Sequence, residues 1–120
     1  MPYMINYEKE GDYIAVTVKG DFSLSNLKDL AAEVTNFTKQ YSCNRILNDM
    51  RQAQLTKGTI DIYNMPKTAR SSGIDTYCKR ALVVSEPSSD FHFLETVFRN
   101  QGHNVKLFTD IEAAMSWLLY

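Results

Sequence analysis

Neither sign of charge dominates this chain: thirteen Lys and Arg stand against fourteen Asp and Glu, a formal charge of -1. That balance leaves no electrostatic footprint for nucleic acid or for an anionic membrane surface. Cysteine is scarce as well. Cys43 and Cys78 lack the paired spacing of a zinc site or a redox couple, so no metal is expected and both thiols are expected to be free. A small α/β domain does not need a disulfide staple. Long hydrophobic runs are missing too: Met1-Pro-Tyr-Met-Ile-Asn-Tyr-Glu8 has no basic stretch followed by an apolar one, and no later segment reaches bilayer-spanning length. These absences predict a cytoplasmic protein with no transmembrane segment and no nucleic-acid partner. Catalytic, metal-binding and phosphate-cradling motifs are also absent, so neither enzyme activity nor a cofactor is expected.

What the chain does have is alternation. Its 120 residues, 44% of them hydrophobic, suit one domain over 1–120. In the last third, Lys79-to-Ser85, Asp90-to-Asn100, Asn104-to-Phe108 and Asp110-to-Leu119 read as strand, helix, strand and helix, which predicts an α/β domain with parallel strands. Upstream, Tyr3-to-Glu8 and Tyr13-to-Lys19 flank Gly11-Asp12 as a β-hairpin, with Ile14, Val16 and Val18 on one face of the second segment. Leu27, Leu30, Ala31, Val34, Phe37, Thr38 and Tyr41 fall on one side of a helical period, capped by Ser23 or Ser25. Asn44-to-Asp49 follows as a short strand, and Met50-to-Gln54 reads as a polar loop. Between Thr56 and Ser72, Ile60 and Ile62 alternate like a strand, yet Ile60, Tyr63, Asn64 and Lys67 sit at helical spacing. A crossover between parallel strands requires a connection of this length, so a helix kinked at Pro66 and closed by Gly73 is predicted. Ser88 or its neighbours start the next helix, whose Phe91, Leu94, Val97 and Phe98 share a face, and Gly102 ends it. Thr109 with Glu112 has the spacing of a capping box for the last helix, which carries Ile111, Ala114, Met115 and Leu118 as a stripe.

The order of five strands and four helices, with Lys79-Arg-Ala-Leu-Val-Val-Ser85, Asp90-Phe-His-Phe-Leu-Glu-Thr-Val97 and Phe108-Thr-Asp-Ile-Glu-Ala-Ala-Met-Ser-Trp-Leu118, resembles the SpoIIAA-like family, relatives of STAS domains. The resemblance implies a single STAS-like α/β domain: a mixed, mostly parallel five-stranded sheet, about four helices and an antiparallel N-terminal hairpin. It also implies a non-enzymatic binding switch. In anti-sigma antagonists of this type a serine in an Asp-Ser-Ser-Gly-like stretch, opening the helix after the third strand, is phosphorylated. This chain has Leu55-Thr-Lys-Gly-Thr59 there, so Thr56 and Thr59 keep hydroxyls without that context and phosphorylation is not expected. The family is similar to small lipid-carrier folds, which implies an apolar ligand pocket as the alternative.

Ligands in open α/β sheets bind outside the carboxyl ends of strands. That rule gathers Asp49, Arg51, Thr56, Ser85 and Glu86 as the candidate ligand- or partner-binding residues. Asp49 and Lys106 invite comparison with a phosphoacceptor receiver, but the first strand here runs into the turn Lys9-Glu10-Gly11-Asp12 instead of presenting clustered acids for magnesium. His92, Glu95 and Arg99 lie three and four residues apart, the pattern of a solvated helix face. His103, in a turn after Gly102, has no second ligand at metal spacing, and Trp117 lies beside the apolar stripe of its helix. The sequence therefore predicts a non-catalytic binding or regulatory module whose partner is a protein or a small apolar ligand, with a homodimer left open. A small hydrolase or transferase ranks third.

Overall fold

The computed structural model describes residues 3–55, 59–73, 77–86 and 88–120. Among these, the elements run β1 (Tyr3–Glu8), β2 (Tyr13–Phe22), α1 (Leu24–Tyr41), β3 (Arg45–Leu55), α2 (Thr59–Ser71), β4 (Lys79–Val83), α3 (Ser89–Asn100), β5 (Asn104–Phe108) and α4 (Ile111–Leu119). The strands lie side by side in the order β1-β2-β3-β4-β5. The first pair is antiparallel and the other three are parallel. The expected α/β sheet with its N-terminal hairpin is thus present, and Ile46, Val83 and Leu107 lie on adjacent parallel strands.

Helices α1, α2 and α3 pack on one face of the sheet and α4 on the other. The first layer is closed by Ile14, Val16 and Val18 from β2, Ile46 and Met50 from β3, Leu82 from β4 and the apolar stripes of the three helices. The second is smaller, built on Leu47, Ala81 and Val83 against Ala114 and Leu118. Helix boundaries follow from local chemistry. Ser23 and Asn26 satisfy each other's backbone amides at the start of α1, a reciprocal cap that leaves fewer bare N–H groups. Ser88 accepts from the Phe91 amide at the start of α3. At its end Gly102, at φ 86°, lets His103 donate to the Phe98 carbonyl and Gly102 itself to Arg99, a Schellman closure. α2 keeps Pro66 inside it, as expected, and packs inward through Met65 and Ala69.

Three expectations are corrected. β2 continues past Lys19 to Phe22, and Met50-to-Gln54 is strand, not loop: Lys19, Gly20, Asp21 and Phe22 pair with Gln52, Ala53, Gln54 and Leu55. The irregularity that hides this is a β-bulge, since Val18 alone separates Thr17 from Lys19 while Met50 and Arg51 separate their partners Asp49 and Gln52. The extra residue flips the side-chain alternation, so Ile46, Asn48 and Met50 face the three-helix layer before it and Ala53 and Leu55 after it. The third correction is at α4, whose N-cap is Asp110 and not Thr109; its carboxylate accepts from the Glu112 amide at 3.2 Å.

α4 is also tied down at its far end. Lys79 Nζ donates to the Trp117 carbonyl and lies 4.6 Å from the centre of the indole ring, which itself packs 5.7 Å from Phe108. Trp117 is half-buried there, at the rim of the small second layer. Among the described residues, no helix is long and apolar enough to cross a membrane.

Candidate functional site

Asn48 occupies the middle of the central strand, between Ile46 and Met50 on the face that α1, α2 and α3 cover. Its register partners are Val16 and Leu82. Where Asn48 stands, the layer does not close. A cavity of about 80 Å³, partly open to solvent, lies between the sheet and the three helices. Val18, Leu30, Ala31, Met65, Leu82, Leu94 and Phe98 form most of its wall, and among the described residues Asn48 and Arg80 are the polar ones in it. The helices meet imperfectly here because α1 presents the small Ala31 and α2 the small Ala69 towards the same space.

Arg80 is buried on β4 beneath α3, an unusual position for a guanidinium. Its carbon stands 5.1 Å from the centre of the Phe98 ring, and one of its terminal nitrogens meets Nδ1 of His103. A guanidinium only donates, so Nδ1 accepts and the imidazole hydrogen is on Nε2. His103 is buried and makes an edge-to-face contact with Phe98, 5.2 Å between ring centres, because the α3 closure swings it inward. Among the described residues no group of three or more His, Cys, Asp and Glu is placed to hold a metal.

The residues gathered by the strand-end rule fall differently. Asp49 does not end its strand: it pairs with Thr17 and with Val83, the last residue of β4, and β3 continues past it. Its carboxylate accepts from the Arg51 amide at 3.2 Å and from the Arg51 guanidinium at 2.9 and 2.8 Å. This clasp holds the bulge and keeps the Asp49 carboxyl below the usual carboxylate range. Ser85 and Glu86 are exposed just beyond β4. Asp49 and Arg51 are therefore brought together and Ser85 and Glu86 lie past the same end of β4, yet among the described residues no hydrogen bond links the two pairs. Thr56 lies outside the described residues, and Thr59 is the first residue of α2. His92 and Arg99 are exposed on α3, while Glu95 is half-buried and accepts from the Leu107 amide at 2.6 Å on the outer edge of β5.

Cys43 and Cys78 are buried and not joined in a disulfide, beside a wider, shallow depression of about 330 Å³ that Thr38, Ser42, Asn44 and Tyr77 also line. The Cys43 thiol donates to the Asp12 carbonyl at 3.4 Å, and burial pushes its pKa up, away from a reactive thiolate. The cavity residues Asn48 and Arg80 were not singled out from sequence. A signal was present: an asparagine and an arginine each take an inward position in a strand whose other inward residues are apolar.

Two solved structures are similar to this chain over nearly its whole length. One is the crystal structure of an uncharacterised protein of the DUF3478 family with a SpoIIAA-like fold, from Shewanella loihica PV-4, at 14% identity and a TM-score of 0.58, covering 97% of this chain and 91% of that one. The other is the NMR structure of the protein TM1081, at 18% identity and a TM-score of 0.57, covering 95% of this chain and 86% of that one. No family model matches the sequence, and no curated protein matches it. The fold is SpoIIAA-like, as the sequence resemblance implied.

Proposed function

We propose that this chain is a non-catalytic binding module of STAS-like type, and that what it binds is a small, mostly apolar molecule. The cavity between the sheet and α1, α2 and α3 carries this reading. Protein interiors are packed to crystal-like density, and a void costs stability roughly in proportion to its size. At about 80 Å³ it is about half the volume of an engineered apolar cavity of roughly 150 Å³ that takes up benzene. The occupant is therefore a molecule of a few heavy atoms, or the end of a longer chain entering through the open side. No bond need be made or broken for such a module to work: occupancy stiffens the three-helix layer and raises its stability by mass action.

Native mass spectrometry of freshly purified protein tests this, paired with a variant in which Ala31→Leu fills the cavity. A small adduct on the wild type that is missing from the variant supports the reading. An adduct-free wild type whose melting temperature is indifferent to xenon and to small hydrocarbons sinks it.

A second reading, a protein partner at the carboxyl edge of the sheet, is favoured by the run of β2 and β3 beyond Val83. This projecting ribbon carries the Asp49 and Arg51 clasp, with Ser85 and Glu86 next to the place where β4 ends. Replacing Arg51 and Glu86 with Ala weakens such a complex, whereas replacing His92 and Arg99 does not. The reverse pattern moves the interface to α3.

A further inference from the structure

We infer that Asn48 is the residue that selects the ligand of this cavity, and that the ligand carries one hydrogen-bonding group on an otherwise apolar body. The inference rests on the cavity being a binding site and adds the chemistry of its occupant. Asn48 stands at the centre of β3 on the covered face of the sheet, where Ile46 before it and Met50 after it are both buried apolar residues. Pattern alone calls for Val or Leu at such a position. The carboxamide is half-buried in the cavity wall, and among the described residues it makes no hydrogen bond. A primary amide offers two donors and an acceptor with two lone pairs, and an occupant that covers it without meeting them leaves them unpaired, which is unfavourable. Nothing in the packing requires an amide there, since Val16 and Leu82 beside it are ordinary core residues.

An occupant with one hydroxyl, carbonyl or amide meets this group while its carbon body fills the apolar remainder between Ala31, Met65 and Phe98. A cavity of about 80 Å³ limits that body to about three to five carbons. Because a carboxamide both donates and accepts, the site discriminates between a polar-ended molecule and a hydrocarbon of equal length. It does not discriminate strongly between a donor and an acceptor.

n-Butanol and n-pentane, matched in size, provide the test, with nuclear magnetic resonance titration of the methyl groups of Val18, Leu30 and Leu82 and of the Asn48 side-chain amide. Taken as the ratio of alcohol to pentane affinity, so that the hydration of the two probes cancels, wild-type protein is expected to exceed Asn48→Leu about tenfold, the worth of one hydrogen bond in a sheltered site. The Asn48 amide resonances should shift with the methyls. Asn48→Leu should lose that preference while still admitting the hydrocarbon. If Asn48→Leu keeps the preference, or if the methyls respond to the alcohol while the Asn48 amide does not, the selection by Asn48 is overturned and the cavity remains a binding site. If neither probe moves the methyls, the binding reading itself falls, and this inference with it. Should the leucine variant not fold, the amide resonances of the wild type decide the question alone.

Discussion

Gly73 ends α2 with φ at 107°, and a Cβ built there would stand 2.8 Å from Cγ2 and 2.9 Å from Oγ1 of Thr35. Both the backbone and the space call for glycine, so Gly73→Ala is expected to destabilise the protein by about 1–3 kcal/mol in denaturant unfolding. Thr35 cannot simply rotate away, because its hydroxyl donates to the Ala31 carbonyl at 2.7 Å inside α1. Two phenols are equally constrained. Tyr3 donates to the Glu33 carboxylate and Tyr7 to Asp12 at 2.6 Å, and each pKa is pushed up to about 12 from the ordinary value near 10 by that bond. The folded state therefore holds these protons more tightly than the unfolded chain. The resulting stability is complete below about pH 10 and fades as pH rises towards about 12. Ultraviolet titration should show late-ionising phenols, one of which Tyr3→Phe removes. A titration in which every tyrosine ionises together near pH 10 contradicts the two bonds.

At the level of elements, α4 holds its face of the sheet with little area. Leu118 and Ala114 are its buried contacts, so Leu118→Ala should cost about 2–4 kcal/mol, and Val83→Ala, beneath it on β4, about 1–3 kcal/mol. Both are read by chemical denaturation. The outer edge of β5 is sealed by a side chain instead of a strand: Glu95→Ala should leave global stability nearly unchanged while speeding hydrogen exchange at the Leu107 amide. Unchanged exchange there would show that the carboxylate does not protect the edge. Elements whose periodicity is unbroken were legible in the sequence. The Phe91, Leu94, Val97 and Phe98 stripe, the Ile14, Val16 and Val18 alternation and the Pro66-containing helix all appear where the residues put them. The second half of β3 was not legible, because one bulged residue reverses the inward and outward sense and makes Met50-to-Gln54 look patternless. The α4 cap was misread by one residue, since Thr109 and Asp110 are both good caps and sequence does not say which carbonyl begins the helix. The inward Asn48 and Arg80 escaped for a different reason: a polar residue in a strand reads as outward until the sheet shows which face is covered.

For the molecule as a whole, near-neutral charge has a measurable result. With a formal charge of -1 and an isoelectric point near 6.1, solubility should pass through a minimum close to pH 6 and recover on either side. A solubility curve that rises steadily through that range would contradict the charge count. The strand order β1-β2-β3-β4-β5 repeats the order of the sequence. During synthesis each strand leaving the ribosome finds its neighbour already made, and no later strand has to be inserted between two earlier ones. The sheet can thus grow at one edge as the chain lengthens, with its connections kept short. Leu47, Ala81 and Val83 wait uncovered until α4 emerges, so the nascent chain is most exposed to misassociation just before its final described helix docks.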